Sequence, residues 1–287
     1  MDRTTLIAAA WMLGAIASFT SMAVGGRLVG DTHDTFEIML FRSILGLGIM
    51  LTVAQATGGV AARVRTRHPR LHVLRNMTHF AGQNLWFLAI MLAPLAQVFA
   101  IEFTAPLWLL LLAPMLLGER VRGVQFVVAL VGFAGVLIVA RPFGGEPSVG
   151  LVFAGLAAFF FAVTNLLTRR LTRADSVVTI LLWLTGTQVV FGAAFAGWDG
   201  DVQWPTAATL PWICAIGVAG LTAHTCLTNA LSLAPASTVM PVDFARLPLI
   251  AVVGAVLFAE PFEPIVLLGG AIVVGAAWTN LKLAPKG

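Results

Sequence analysis

The chain has 287 residues, of which 59% are hydrophobic and only 10% charged. Globular proteins carry about 25% charged residues, so a soluble surface is excluded, and the mean hydropathy of +0.94 marks a membrane protein. The surplus of 17 Lys and Arg over 13 Asp and Glu sits in short segments between apolar runs, not on a basic face interleaved with aromatics, which excludes a nucleic-acid binder.

A spanning helix needs about 20 mostly apolar residues. Such runs fall near 5–27, 35–56, 71–93, 95–117, 122–140, 149–168, 176–197, 208–232, 236–258 and 263–281. Gly, Pro or charge marks the breaks, as at Gly58-Gly59, Ala93-Pro94, Arg141-Pro142, Ala234-Pro235 and Glu260-Pro261. The first run begins MDRTT, with one positive charge offset by Asp2. It is read as a helix and not as a cleaved leader.

Ionisable groups inside spans are functional candidates by default. In chain order, span two carries Arg42. Span three places Asn76, His79, Gln83 and Trp86 at spacings of 3, 4 and 3, on one helical face. That stripe faces the bundle or water, as cavity lining or as hydrogen-bonding to neighbouring helices. Span four carries Phe99, Glu102 and Phe103. Phe99, Phe103, Trp86 and Trp108 are candidates for an apolar wall of the kind that lines ligand pockets. Spans five and six carry Gly132, Gly135 and the series Ala154, Ala158, Ala162, which suit close helix packing. Span eight holds His224 with both cysteines, Cys214 and Cys226, too far apart along one helix for a disulfide. Span nine carries Asp243 and Arg246, neighbours at i,i+3.

Glu102 and Arg42 each lie about seven residues into their spans from the same side, about 10 Å deep, and a buried ion pair between them is expected. One reading makes both acids structural, each neutralised by an arginine. The other places Arg42, Glu102, Asp243 and Arg246 on a wet cavity, holding the charged ends of a solute, with proton coupling through Glu102 or Asp243 left open. Pro106 and Pro248 cannot donate to the carbonyls of Glu102 and Phe244, so helix distortion beside each acid is expected.

With the N-terminus in the cytoplasm, thirteen basic residues fall inside: Arg3, Arg63, Arg65, Arg67, Arg70, Arg75, Arg120, Arg122, Arg169, Arg170, Arg173, Lys282 and Lys286. Only Arg27 and Arg141 fall outside, beside Asp31, Asp34, Asp199, Asp201 and Glu263. Both termini are therefore expected in the cytoplasm. Trp198, Trp204 and Trp212 gather at the outer end of spans seven and eight, as an interfacial belt would.

The run LAPLAQVFAIEFTAPLW (92–108) recurs as LAPASTVMPVDFARLPL (233–249), an offset of 141 residues. Glu102 falls on Asp243, Phe103 on Phe244, Gln83 on His224 and Glu119 on Glu260. Five spans follow five spans, so the second half enters from the opposite side. The expected fold is an all-α membrane protein of ten transmembrane helices in two inverted repeats, residues 1–142 and 143–287. Secondary transporters recur on that plan, with the substrate near the midplane between halves.

FRSILGLG (41–48), LAPLAQVFAIEFTAPLW with LLGERV (116–121), VGFAGVLIVARP (131–142) and LAPASTVMPVDF resemble the drug/metabolite transporter superfamily, and within it the ten-helix EamA family. The resemblance implies movement of small organic solutes across a bacterial-type cytoplasmic membrane, with membrane lipid and a small-molecule substrate as partners. Amino-acid export, including aromatic amino acids, is the leading expectation. Carriage of nucleosides, vitamins or organic cations such as S-adenosylmethionine is the alternative, with a non-transporting scaffold as a further one. The substrate-binding candidates are Asn76, His79, Gln83, Trp86, Phe99, Glu102, Phe103, His224 and Asp243, with Arg42 and Arg246 as charge partners. No HExxH, GxSxG, P-loop or paired-cysteine motif occurs, so neither enzyme chemistry, nor a cofactor, nor a metal is expected. Direction, energy coupling and oligomeric state stay open.

Overall fold

In the computed structural model, residues 3–118, 121–140, 148–260 and 265–283 are described, and every element among them is helical. They are α1 (Arg3–Val29), α2 (Thr35–Ala56), the short α3 (Val60–Val64), α4 (Pro69–Leu92), α5 (Leu95–Glu102), α6 (Ala105–Leu117) and α7 (Gly123–Ala140). There follow α8 (Val149–Leu171), α9 (Val177–Phe195), α10 (Leu210–Leu233), α11 (Ala236–Val239), a 3-10 turn (Met240–Ala245), α12 (Arg246–Phe258) and α13 (Ile265–Lys282). Apart from α3, these occupy the ten apolar stretches of the sequence. Glu119, Arg120, Arg141, Glu263 and Lys286, used above for the repeat and for orientation, lie outside the described residues, as does the boundary at 142–143.

Six stretches are long and apolar enough to cross a membrane: α1, α2, α5 with α6, α8, α9 and α10. The polar residues of α4 keep it off that list, although it is 24 residues long. Outward-facing apolar side chains such as Met115, Val256 and Leu13 are exposed, as a lipid-facing surface requires. Trp198 and Trp204 are the most exposed tryptophans among the described residues.

Local signals set the helix limits. Asp34 and Glu37 form a capping box that starts α2, each side chain accepting from the other's backbone N–H. Gly118 takes φ +66° and ends α6. Ala93 and Ala234 are extended ahead of Pro94 and Pro235, where the α conformation is disfavoured.

The principal pairings are α1 with α10, α4 with α8, α7 with α13 and α2 with α9. A shift of 141 residues carries α4 onto α10 and the α5–α6 stretch onto α11–α12, end to end. The same shift carries α1 onto α8, so the first two pairings exchange, while α7·α13 and α2·α9 map onto themselves. Small residues allow the close approaches. Ala154, Ala158 and Ala162 are fully buried on α8. A Cβ on Gly135 would stand 3.0 Å from the Gly269 carbonyl oxygen, so the backbones of α7 and α13 approach closely there.

Candidate functional site

Both acid-bearing stretches are broken where the acids sit. Helix α5 ends at Glu102, Phe103 and Thr104 form a turn, and α6 starts at Ala105 with Pro106 in its first turn. Proline has no N–H for the carbonyl four residues back, here that of Glu102. The equivalent stretch tightens into the 3-10 turn that carries Asp243 and resumes as α12 at Arg246. The breaks bring Glu102 and Asp243 to one point at the centre of the bundle.

Arg246 joins them. Its Nη2 donates to Glu102 Oε1 at 2.6 Å and to Asp243 Oδ2 at 2.8 Å. Trp86 Nε1 donates to the second Glu102 oxygen at 2.7 Å. Three phenylalanine rings surround the guanidinium, Phe99 at 4.8 Å, Phe19 at 5.3 Å and Phe103 at 5.4 Å. All three charged side chains are buried. Short charge-assisted bonds and ring faces offset the desolvation that burial imposes. With both acids ionised the group carries one net negative charge.

The Arg42–Glu102 pair expected from equal depth does not form. Arg42 Nη1 contacts Met22 Sδ at 3.1 Å and its guanidinium lies 6.0 Å from the Phe87 ring centroid. The reason is lateral: α2 packs on α9, α10 and α4, whereas α5 packs on α8, α12 and α7. Arg75, counted with the inner-loop charges, is buried on α4. Its Nε donates to Thr168 Oγ1 at 2.9 Å and its Nη1 to Asn76 Oδ1 at 3.0 Å.

The stripe on α4 divides. His79, Gln83 and Trp86 line a central cavity, whereas Asn76 turns to α9, donating to the Trp183 carbonyl at 3.0 Å. Its own carbonyl accepts from Gln188 at 2.9 Å. The His79 and His224 rings meet edge to face, 4.6 Å between centroids. Neither has a hydrogen-bond partner for any ring nitrogen, and Gln83 Nε2, Asp243 Oδ1 and Arg246 Nε are also unpartnered. Buried polar atoms left so are rare. Phe103 lines the cavity, whereas Phe99 stands behind Arg246. Trp108, expected in the same wall, is instead 42% exposed and packs on Phe159.

Residues that sequence reasoning passed over complete the wall. Helix α1 supplies Met12, Phe19 and Met22, α8 supplies Phe161 and Thr164 beside Asn165, and Leu227 and Met240 close it. Nothing in their local pattern separates these from ordinary core. Only the helices that carry them, packed on α10 and α4, mark them out. The cavity volume is about 50 Å³, room for a few waters and less than an organic solute needs. Among the described residues no three His, Cys, Asp or Glu side chains gather as a metal site would require.

The described elements are all helical, and buried polar atoms at their centre have no protein partner; comparison with known proteins identifies a multi-pass small-molecule transporter. The profile of the EamA-like transporter family matches residues 6–141 and again 148–281. The chain belongs to this family, within the drug/metabolite transporter superfamily. It is 26% identical over 276 residues to an S-adenosylmethionine uptake transporter of Rickettsia bellii, covering 96% of this chain and 93% of that one. It is 30% identical over 272 residues to a riboflavin transporter of Vibrio cholerae, covering 93% and 90%. It is 28% identical over 270 residues to a pseudopaline exporter of Pseudomonas aeruginosa, covering 92% and 93%. A solved crystal structure that is 20% identical superposes with a TM-score of 0.78 over 98% of this chain and 97% of the other, a likeness of fold.

Proposed function

We propose that the protein is a secondary carrier of small amphipathic metabolites, with amino acids, aromatic ones included, as the leading substrates. The single observation that carries this reading is the central cavity, where apolar and aromatic walls surround polar atoms that have no protein partner. Ligand sites have that composition. The small internal volume fits a closed state that must open to admit a solute.

The two halves, 1–142 and 143–287, then act as inverted repeats that rock about the cavity, with both termini cytoplasmic in a bacterial inner membrane. Support for the repeat comes from the exchange of the α1·α10 and α4·α8 pairings at the 141-residue offset. Support for rocking comes from the end of the bundle that holds Arg27. There Glu260 takes a 2.6 Å bond from Arg27 and a 3.1 Å bond from the Leu95 backbone N–H, lashing three stretches together. Under the proposed orientation this end is the outer one, and the lash opens as the cavity faces out.

A second reading, a carrier for S-adenosylmethionine-like solutes or vitamins, draws on the activities of two relatives. The relatives include uptake carriers and an exporter, so export rests on the resemblance alone. The test is flux in proteoliposomes of purified protein with labelled amino acids, a nucleoside, riboflavin and S-adenosylmethionine, with and without a pH gradient. Saturable, solute-selective flux is expected, and dependence on the gradient decides proton coupling. Folded protein that moves none of these solutes would overturn the carrier reading.

A further inference from the structure

Three buried arginines border the centre of the bundle, and their partners differ. Arg246 holds two carboxylates. Arg75 holds a threonine hydroxyl and an asparagine oxygen. Arg42 holds only the thioether of Met22 and the distant face of Phe87, and it is 6% exposed. A guanidinium has five N–H donors in a fixed fork, and a thioether is a weak acceptor for one of them. No carboxylate among the described residues pairs with Arg42, since Arg246 occupies both central acids.

Arg42 also borders open space. A second, smaller cavity is lined by Arg42, Ser43, Thr185, Gln188, Gly220 and His224. Gln188 Oε1 is buried there without a partner. Gly220 leaves a bare backbone beside the cation, since a Cβ on it would already touch the Arg42 guanidinium at 3.5 Å. His224 lines both cavities, and Met22 lines the central one while touching Arg42. Two side chains therefore separate Arg42 from the substrate space, and one is an unbranched methionine that changes rotamer readily.

We infer that Arg42 is the receptor for the carboxylate of the transported solute, reached when Met22 swings aside. The inference rests on the carrier reading and narrows it to solutes that bear a carboxylate. A buried cation with no counter-charge has already lost its hydration, so a carboxylate arriving in bidentate geometry meets little further desolvation on the protein side. The two central acids share Arg246, which leaves one net negative charge and Asp243 Oδ1 without a partner, a place for the amine end of a solute whose carboxylate reaches Arg42. A solute recognised only through a positive charge does not fit this distribution, and neither does one with no anionic group.

The test uses matched pairs that differ in that group: phenylalanine and phenylalaninamide, tryptophan and tryptophanamide, S-adenosylmethionine and its carboxamide, with riboflavin as the carboxylate-free solute. Binding is read by ligand-induced thermal shift in detergent, independently of flux, and transport by counterflow in proteoliposomes. The acid of at least one pair is expected to bind at least 10-fold more tightly than its amide. Arg42→Gln should raise KM at least 10-fold and abolish acid-over-amide selectivity, with Arg42→Lys intermediate. Because Gln removes an uncompensated buried charge, the unfolding temperature without ligand should not fall. A merely structural arginine would lower it. Equal binding of acid and amide, response to riboflavin alone, no acid-selective response in any pair, or an unchanged KM in Arg42→Gln each overturns the inference. Absence of flux beside acid-selective binding would instead overturn the carrier reading and leave the carboxylate receptor standing.

Discussion

Neutralising the acids around Arg246 one at a time, then together, should give strongly non-additive losses. Glu102 Oε1 and Asp243 Oδ2 share Arg246 Nη2, at 2.6 and 2.8 Å. Each acid then attracts the guanidinium by about 4 kcal/mol at a charge separation near 4 Å and an effective dielectric near 20. The acids repel one another by about 3 kcal/mol at about 5 Å. Glu102→Gln loses one attraction, sheds the repulsion and keeps an oxygen for the Trp86 N–H, so its net cost is about 1 kcal/mol. Asp243→Asn behaves alike. The double variant loses both attractions and sheds one repulsion, about 5 kcal/mol, the upper end of the range for a buried charge stripped of its partner. The assay is thermal unfolding in detergent, read as a double-mutant cycle. Each single variant should fall by about 2–4 °C and the double by about 10 °C or more. Losses that simply add would refute the shared-partner argument.

The lash on Glu260 makes a sharper local prediction, because Glu260→Ala leaves the Leu95 N–H without its acceptor. Amide exchange around Leu95 should accelerate by about the 5-fold that 1 kcal/mol represents. Gly254→Ala should do the same with Glu260 itself unchanged, since its Cβ would stand 2.5 Å from Glu260 Oε2 and displace it; unchanged protection in both would refute the lash. At the α7·α13 contact, Gly135→Val drives side-chain atoms onto the Gly269 carbonyl and Ile272 and should cost about 1–3 kcal/mol in thermal unfolding. Gly275→Ala, which meets nothing within 4 Å, is its neutral control.

Most of the fold was legible because the signals that define it are local. Apolar run lengths gave the helices, Pro94 and Pro235 gave their breaks, and Pro106 marked the distortion beside Glu102. The Asp243–Arg246 pair was legible too, because residues three apart stay neighbours through the 3-10 turn that leads from Asp243 into α12. The charge map between helices was not. Residue count gives depth along a helix but says nothing of which neighbour stands beside it, so Arg42 and Glu102 matched in depth and missed in space. Arg75 was counted by sign and position as a loop charge, although it lies inside α4 and finds Thr168 on α8. Asn76 shares a helical face with His79 and Gln83, but that face is broad enough for one end to meet α9 and the other the cavity.

The proposed solute recognition rests on positions where the two halves differ. At the 141-residue offset Glu102 meets Asp243, yet Arg246 meets Ala105 and Arg42 meets Trp183. Two equivalent acids therefore converge on one arginine that only the second half supplies, and the surplus negative charge stays at the centre. Of the two buried arginines that only the first half supplies, Arg75 is held by Thr168 and Asn76, and Arg42 is left behind His224 with no acid to hold it. A fully symmetric core would balance its own charges and present a solute with nothing to satisfy. This one separates a net negative cluster from an uncompensated guanidinium, with apolar walls and unpartnered imidazoles between them. In the proposed carrier such a field would orient a solute that carries a carboxylate, and the stretches that hold its poles are broken at Glu102 and at Asp243, where bending would accompany the proposed motion of the halves.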